Sequence, residues 1–256
     1  MRKPSSFALL LISFASAAQA QWTQISSQSE PSPAKGLEHR YVVVEHSSSG
    51  ERASLELAIF SAKLCRLRVV DQPSEPRDDL EDVMARGNFL TGVNGGYFDP
   101  QYNPIGLLIV DAKIITPLQR ARLLSGVLSA SGKRIQISRV AEFSPNQKLE
   151  AAVESGPMLV DAGKSVRGLE STKIARRTFA AVASGDKAAL GFCSDVTLSD
   201  LSSILAVITI PEFKIQRALN LDGGSSSAFW FKRANENAFS IAERKPVRDF
   251  VAVVAK

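Results

Sequence analysis

"RALNLDGGSSSAFWF", residues 217–231, decides how the rest of the chain reads. Two apolar segments of strand type, "RALNL" and "AFWF", flank a carboxylate, two glycines and three serines. A flexible linker uses the same Gly and Ser, but it does not usually join two segments that each read as buried. Asp-Gly is a turn signal, and glycine accepts backbone angles closed to other residues. The plain expectation is therefore strand, tight turn, strand. Such a turn can also aim successive N–H groups at an anion, with serine hydroxyls as further donors and Asp222 at the edge.

Outward from this stretch the chain repeats one pattern. From Tyr41 it alternates short runs rich in β-branched and aromatic residues, such as "YVVVEH", "SLELAIF", "LRVVDQ", "IQISRV" and "RTFAAVAS", with Gly, Pro, Asn and Asp punctuation. "VDAKI" (110–114) and "VDAGKS" (160–165) read as hairpin tips. Helical signals are fewer. "PRDDLEDVMARG" (76–87) carries acids in its first turn and glycine after its last, with Leu80, Val83 and Met84 on one face. "TLSDLSSILAVI" (197–208) offers Thr197 as N-cap with Asp200 three residues on, and Leu198, Leu201, Ile204 and Leu205 at helical spacing. The expected class is α+β: mixed, twisted β-sheets with two or three flanking helices, in a single domain over 37–256.

Residues 1–20, "MRKPSSFALLLISFASAAQA", have the three-part pattern of a signal peptide: Arg2 and Lys3, an apolar run from Phe7, and Ala18-Gln19-Ala20. The run is too short to span a bilayer, so the expectation is an exported chain, periplasmic or secreted, with no membrane span after cleavage. Residues 21–36, rich in Ser, Gln and Pro, read as a flexible lead-in. The net charge of +5 falls to +3 once Arg2 and Lys3 are removed. The charges are scattered, with no basic block interleaved with aromatics, which argues against nucleic acid as a partner. The two cysteines, Cys65 and Cys193, both lie in apolar runs, where one disulfide and two packed thiols are equally consistent.

Several catalytic kits are missing. There are two histidines, His39 and His46, and no H-E-x-x-H, C-x-x-C or G-x-S-x-G. Chemistry then falls to carboxylates, arginine, amides and backbone N–H groups. No cofactor is required, and a carboxylate-bound Ca²⁺ or Mg²⁺ is left open. Four segments could carry it. In "VNGGYFDP" (93–100), Asn94-Gly95-Gly96 is either a hairpin turn or a place where bare backbone meets a ligand beside the Asn94 amide. In "ESGPMLV" (154–160), Glu154 stands before Gly-Pro as at the rim of a strand. In "ARRTFAAV" (175–182), Arg176 and Arg177 enter an apolar strand facing opposite ways, and one of them can reach a phosphate. The fourth is Asp222-Gly223-Gly224 with Ser225, Ser226 and Ser227.

These motifs, Asn94-Gly-Gly-Tyr-Phe, Ser155-Gly-Pro-Met-Leu-Val, Arg177-Thr-Phe-Ala and Asn220-Leu-Asp-Gly-Gly-Ser-Ser-Ser, follow one another in this order over roughly 85–255. In that combination the chain resembles the phosphodiester glycosidase family. The resemblance implies a pocket where Asn94, Gly95, Gly96, Arg177, Asp222, Gly223, Gly224, Ser225 and Ser226 converge on a sugar phosphodiester or polysaccharide. The register between Arg176 and Arg177, and among the three serines, stays open. Glu154 is a candidate from its own position and not from the family motif. With Asp222 and Glu154 as the acting carboxylates, the expectation is a hydrolase that frees a sugar and a phosphate monoester. The alternatives are an envelope protein that binds sugar phosphate without turnover, and a phosphodiesterase cutting the P–O bond.

Overall fold

The computed structural model describes residues 21–132, 134–144, 148–234 and 237–256. The signal-peptide segment 1–20 lies outside the described residues. In chain order the strands are β1 (Trp22–Pro31), β2 (Leu37–His46), β3 (Arg52–Ser61), β4 (Cys65–Asp71), β5 (Thr91–Asn94) and β6 (Leu108–Val110). They continue with β7 (Lys113–Thr116), β8 (Gly126–Ser131), β9 (Arg134–Arg139), β10 (Ala151–Ser155), β11 (Met158–Asp161) and β12 (Lys164–Ser165). The last six are β13 (Ala175–Ala183), β14 (Lys187–Val196), β15 (Ile215–Asn220), β16 (Phe229–Phe231), β17 (Phe239–Ile241) and β18 (Asp249–Ala255). Two α-helices occur among the described residues, α1 (Leu80–Arg86) and α2 (Leu198–Val207).

The strands form three sheets, ordered β1-β2-β3-β14-β13-β15-β11-β12, β7-β6-β10-β8-β9 and β17-β16-β5-β18-β4. Every ladder between these strands is antiparallel. The expectation of mixed sheets is corrected, and the chain is dominated by strand. A parallel pair needs a long crossover, usually helical, and among the described residues there are only two α-helices, both short. The hairpin tips are as read: Asp111-Ala112 and Ala162-Gly163 both take positive φ, as the two-residue turns that match strand twist require.

The eight-stranded sheet is covered on both faces. One face packs with the two five-stranded sheets around Leu67, Val93, Leu128, Val153, Leu190, Leu219, Phe229 and Val251. The other, with Leu55, Leu57, Phe179 and Ala218, packs under Leu201, Ile204 and Leu205 of α2. Cys65 and Cys193 are free, buried thiols in different sheets, so the disulfide does not form. The segment expected as a flexible lead-in is mostly strand. β1 pairs with β2 along its length, and the Trp22 indole N–H donates to Asp200 Oδ1 at 3.1 Å. Its Ser and Gln content reflects residues 23–29, which face solvent to varying degrees.

Helix α2 starts as its sequence indicates. Thr197 Oγ1 accepts the Asp200 N–H at 3.1 Å and donates to Asp200 Oδ2 at 2.6 Å. Thr197→Ala leaves that N–H without its cap and is expected to lower stability by about 1 kcal/mol. Urea unfolding checks this, and an unchanged midpoint would contradict it.

Candidate active site

The four motif segments end in one region because the three sheets meet there. β15 delivers Asn220 and then Asp222, β13 delivers Arg177 and Thr178, and β5 ends at Asn94. The Asn94 side chain is fully buried and joins them: Nδ2 donates to the Asp222 carbonyl at 2.7 Å. Its Oδ1 accepts from Thr178 Oγ1 at 2.7 Å and from the Ala228 N–H at 3.0 Å. All of these are internal bonds, so the amide expected beside a ligand is structural.

The Gly95–Gly96 segment is no hairpin turn, and its N–H groups do not face a ligand. The Gly95 N–H donates to the Asp249 carbonyl at 2.8 Å, and the Gly96 N–H to Asp249 Oδ1 at 3.1 Å. A Cβ on Gly95 would lie 1.8 Å from Asp249 Oδ1. Glycine is needed here for close approach of a neighbouring carboxyl.

Asp222 lies half-buried just past β15. Its N–H donates to the Gly95 carbonyl at 3.0 Å, and its Oδ1 accepts the Gly223 N–H at 2.9 Å. Burial pushes its carboxyl above the ordinary Asp range, against hydrogen bonds from Ser226 and Gly223 and the charge of Lys173. Gly224, at φ +65°, opens a short 3₁₀ turn over Gly224–Ser226. Ser226 and Ser227 close it by donating N–H groups to Gly223 and Gly224 carbonyls at 3.3 and 3.4 Å, and the Ser225 carbonyl accepts from the Arg244 N–H at 2.7 Å. The N–H groups of Gly224 and Ser225 donate to nothing among the described residues.

The two arginines resolve by register. The β13–β14 ladder slips between Ala175 and Arg177, a bulge of the kind that re-aims side chains near active sites. Arg177 turns inward, 7 % exposed; its Nε donates to the Val196 carbonyl at 3.0 Å. Its Nη2 donates to the Lys173 carbonyl, with Glu170 at 3.8 Å. Its Nη1 lies 3.9 Å from where a Gly223 Cβ would be, so the guanidinium reaches the glycine turn. Burial lowers its pKa. Arg176 lies over the Phe192 ring and donates to the Ser227 and Ala242 carbonyls, bracing the serine segment from the other side.

Glu154 is corrected from a rim position to a buried one, 1 % exposed. Its Oε2 accepts the Leu107 N–H at 2.7 Å and the Gln119 N–H at 3.0 Å, while Oε1 is buried without a partner among the described residues. It tethers two loops. Two residues escaped the sequence reading. Tyr97 donates its hydroxyl to the Gly156 carbonyl at 2.5 Å and accepts from Asn220 Nδ2 at 3.0 Å. Burial and then the Asp222 charge push it up to about 12. Asp249 is the other; its signal was "VRDFVAVVA", charged residues entering an apolar run just as Arg176 and Arg177 do. Among the described residues no group of three or more His, Cys, Asp or Glu is placed to hold a metal ion.

The family model for phosphodiester glycosidases matches residues 87–254. The chain belongs to the phosphodiester glycosidase family. Its fold is similar to the zebrafish N-acetylglucosamine-1-phosphodiester alpha-N-acetylglucosaminidase catalytic domain, auto-inhibited by its pro-peptide, with TM-score 0.63 and 14 % identity over 90 % of this chain and 88 % of that one. A hypothetical protein from Synechocystis is similar at TM-score 0.62 and 13 % identity, over 87 % of this chain and 62 % of that one. In sequence, 91 residues are 31 % identical to the uncharacterized protein YigE of Escherichia coli K12, spanning 33 % of this chain and 36 % of that relative.

Within this family member the glycines should differ in tolerance. Gly95→Ala drives a methyl into Asp249 and is expected to cost about 3 kcal/mol or more, the upper end for overpacking. Gly224→Ala meets nothing within 4 Å and should cost only the ~1–2 kcal/mol of a left-handed backbone. Urea denaturation of both variants checks the order, and equal losses would contradict it.

Proposed function

We propose that the protein is an exported hydrolase that cleaves the glycosidic C–O bond of a sugar-1-phosphodiester, releasing a free sugar and a phosphate monoester. The observation that carries this reading is the half-buried Asp222 carboxyl at the head of a glycine turn that offers two open N–H groups and that the Arg177 guanidinium approaches at Gly223. The name of the zebrafish relative suggests an N-acetylhexosamine as the sugar. The signal-type pattern of residues 1–20 supports a periplasmic or secreted location. No helix among the described residues is long and apolar enough to cross a membrane.

The chemistry asks for few groups. Departure of the phosphate leaves an oxocarbenium-like centre at the anomeric carbon. The bonding pair stays on the phosphate oxygen, so the leaving group needs charge stabilisation more than protonation. Arg177 and the Gly224 and Ser225 N–H groups supply that, prearranged in a site partly closed to water. Asp222 then serves as base, taking the proton of the water whose oxygen joins the anomeric carbon. Glu154, committed to two backbone donors, holds the loops at 106–107 and 119, and the acting carboxylate is Asp222.

Phosphorus NMR of the protein with an α-linked N-acetylhexosamine-1-phosphodiester tests the reaction. A new monoester with no coupling to an anomeric proton, with free sugar beside it, is expected. A persistent diester across several sugars, with the ligand bound, would favour the envelope binding protein instead. Asp222→Asn should lower turnover about 10³-fold, within the range of general-base catalysis, while cooperative unfolding persists. Wild-type turnover in that variant would remove Asp222 from its role. Because Asp222 acts ionised and its pKa is raised, turnover should fall with acidity from a higher pH than an ordinary aspartate sets.

A further inference from the structure

We propose that Asp249 is the positioning residue of this site: its side chain fills the slot over Gly95, fixes the Gly95–Gly96 segment, and through it holds the backbone of Asp222. The inference rests on Asp222 being the acting carboxylate. Asp249 is the first residue of β18 and 1 % exposed. Its carbonyl accepts the Gly95 N–H at 2.8 Å and its Oδ1 the Gly96 N–H at 3.1 Å. The Gly95 carbonyl in turn accepts the Asp222 N–H at 3.0 Å. One short path of hydrogen bonds therefore runs from β18 to Asp222. The 1.8 Å clearance over Gly95 shows how closely the carboxyl fills its slot.

Satisfying one Gly96 N–H does not require a carboxyl. Asp249 Oδ2 is buried with no partner among the described residues, an arrangement costly for a charged group. Three ionisable groups face it: Asp71 across the ladder on β4, Arg248 beside it, and Asp222. Arg248 and the Gly96 N–H offset part of the cost, although the Arg248 guanidinium is itself held by Asp71 at 2.6 and 3.0 Å and by the Tyr102 carbonyl at 2.7 Å. Burial pushes the Asp249 carboxyl up to about 7, and the negative charges of Asp71 and Asp222 act in the same direction. Below that pH Asp249 is a neutral support. Above it, a second negative charge develops beside Asp222 and any phosphodiester bound there, so turnover should decline on the alkaline side.

The test compares kcat and KM against pH for the wild type, Asp249→Ala and Asp249→Asn. Asp249→Ala should lower kcat at pH 6 by about 30-fold or more with KM within about threefold, the signature of lost transition-state placement. Asp249→Asn keeps the acceptor for Gly96 and should recover most of that loss. It should also move the alkaline limb upward by about one pH unit or more, which a merely structural residue would not do. Carbon-13 NMR of labelled aspartate carboxyls gives a readout free of turnover: the Asp249 midpoint should fall in Asp222→Asn, as coupled sites require. Unchanged kcat in Asp249→Ala, superimposable pH profiles for the wild type and Asp249→Asn, or an unmoved Asp249 midpoint would overturn the proposal. An inactive wild type whose Asp249 midpoint still falls in Asp222→Asn would overturn the glycosidase reading, and the positioning role with it, while leaving the Asp249–Asp222 charge coupling standing.

Discussion

The buried side chain of Asn94 is the joint on which the site depends. Its amide donates to the Asp222 carbonyl, while its carbonyl oxygen accepts from Thr178 and Ala228. One residue thereby ties the end of a strand in one five-stranded sheet to the eight-stranded sheet and to the loop after β15. No aliphatic side chain could replace it without leaving several of these polar groups unsatisfied in the interior, each at a cost of about 1–3 kcal/mol. The three sheets pack as hydrophobic layers, but packing alone is non-directional. The Asn94 bonds set the relative placement of Asp222 and Thr178, and with Thr178 its neighbour Arg177.

Burial that stabilises the fold also sets the electrostatics. The same apolar packing raises the carboxyls of Asp222 and Asp249, raises the Tyr97 hydroxyl and lowers Arg177. Each shift disfavours charge, so a phosphodiester that brings negative charge beside Arg177 would stabilise a cation the protein alone holds at a cost. The stability linkage of Asp249 runs the other way from that of a salt-bridged aspartate. Its folded pKa of about 7 exceeds the ordinary 3.8, so the folded state binds more protons between these values. Stability contributed by this group therefore falls as pH rises through that window and is lowest above it.

Local features were legible in the sequence. The two-residue turns at 111–112 and 162–163, the glycine that ends α1, the Thr197 cap of α2 and the apolar faces of both helices follow from residues a few positions apart. The Asp222 turn was legible too, because its donors are its own neighbours. What was not legible depends on partners distant in the chain. Gly95 and Gly96 looked free to meet a ligand because Asp249, which occupies the space, is more than 150 residues away. Glu154 looked like a rim residue because nothing in "ESGPMLV" announces the Leu107 and Gln119 N–H groups that hold it. Trp22–Pro31 looked loose because its polar residues record solvent exposure and not its ladder to β2. The choice between Arg176 and Arg177 turned on a register slip, which no alternation rule foresees.

The central claim is that the bond broken is the one between the anomeric carbon and oxygen. Turnover in water enriched in ¹⁸O, followed by mass spectrometry of both products, tests it most directly. The account predicts the label in the sugar hydroxyl and none in the phosphate monoester. Label in the phosphate would mean attack at phosphorus, and would contradict the role assigned to Asp222 and its turn.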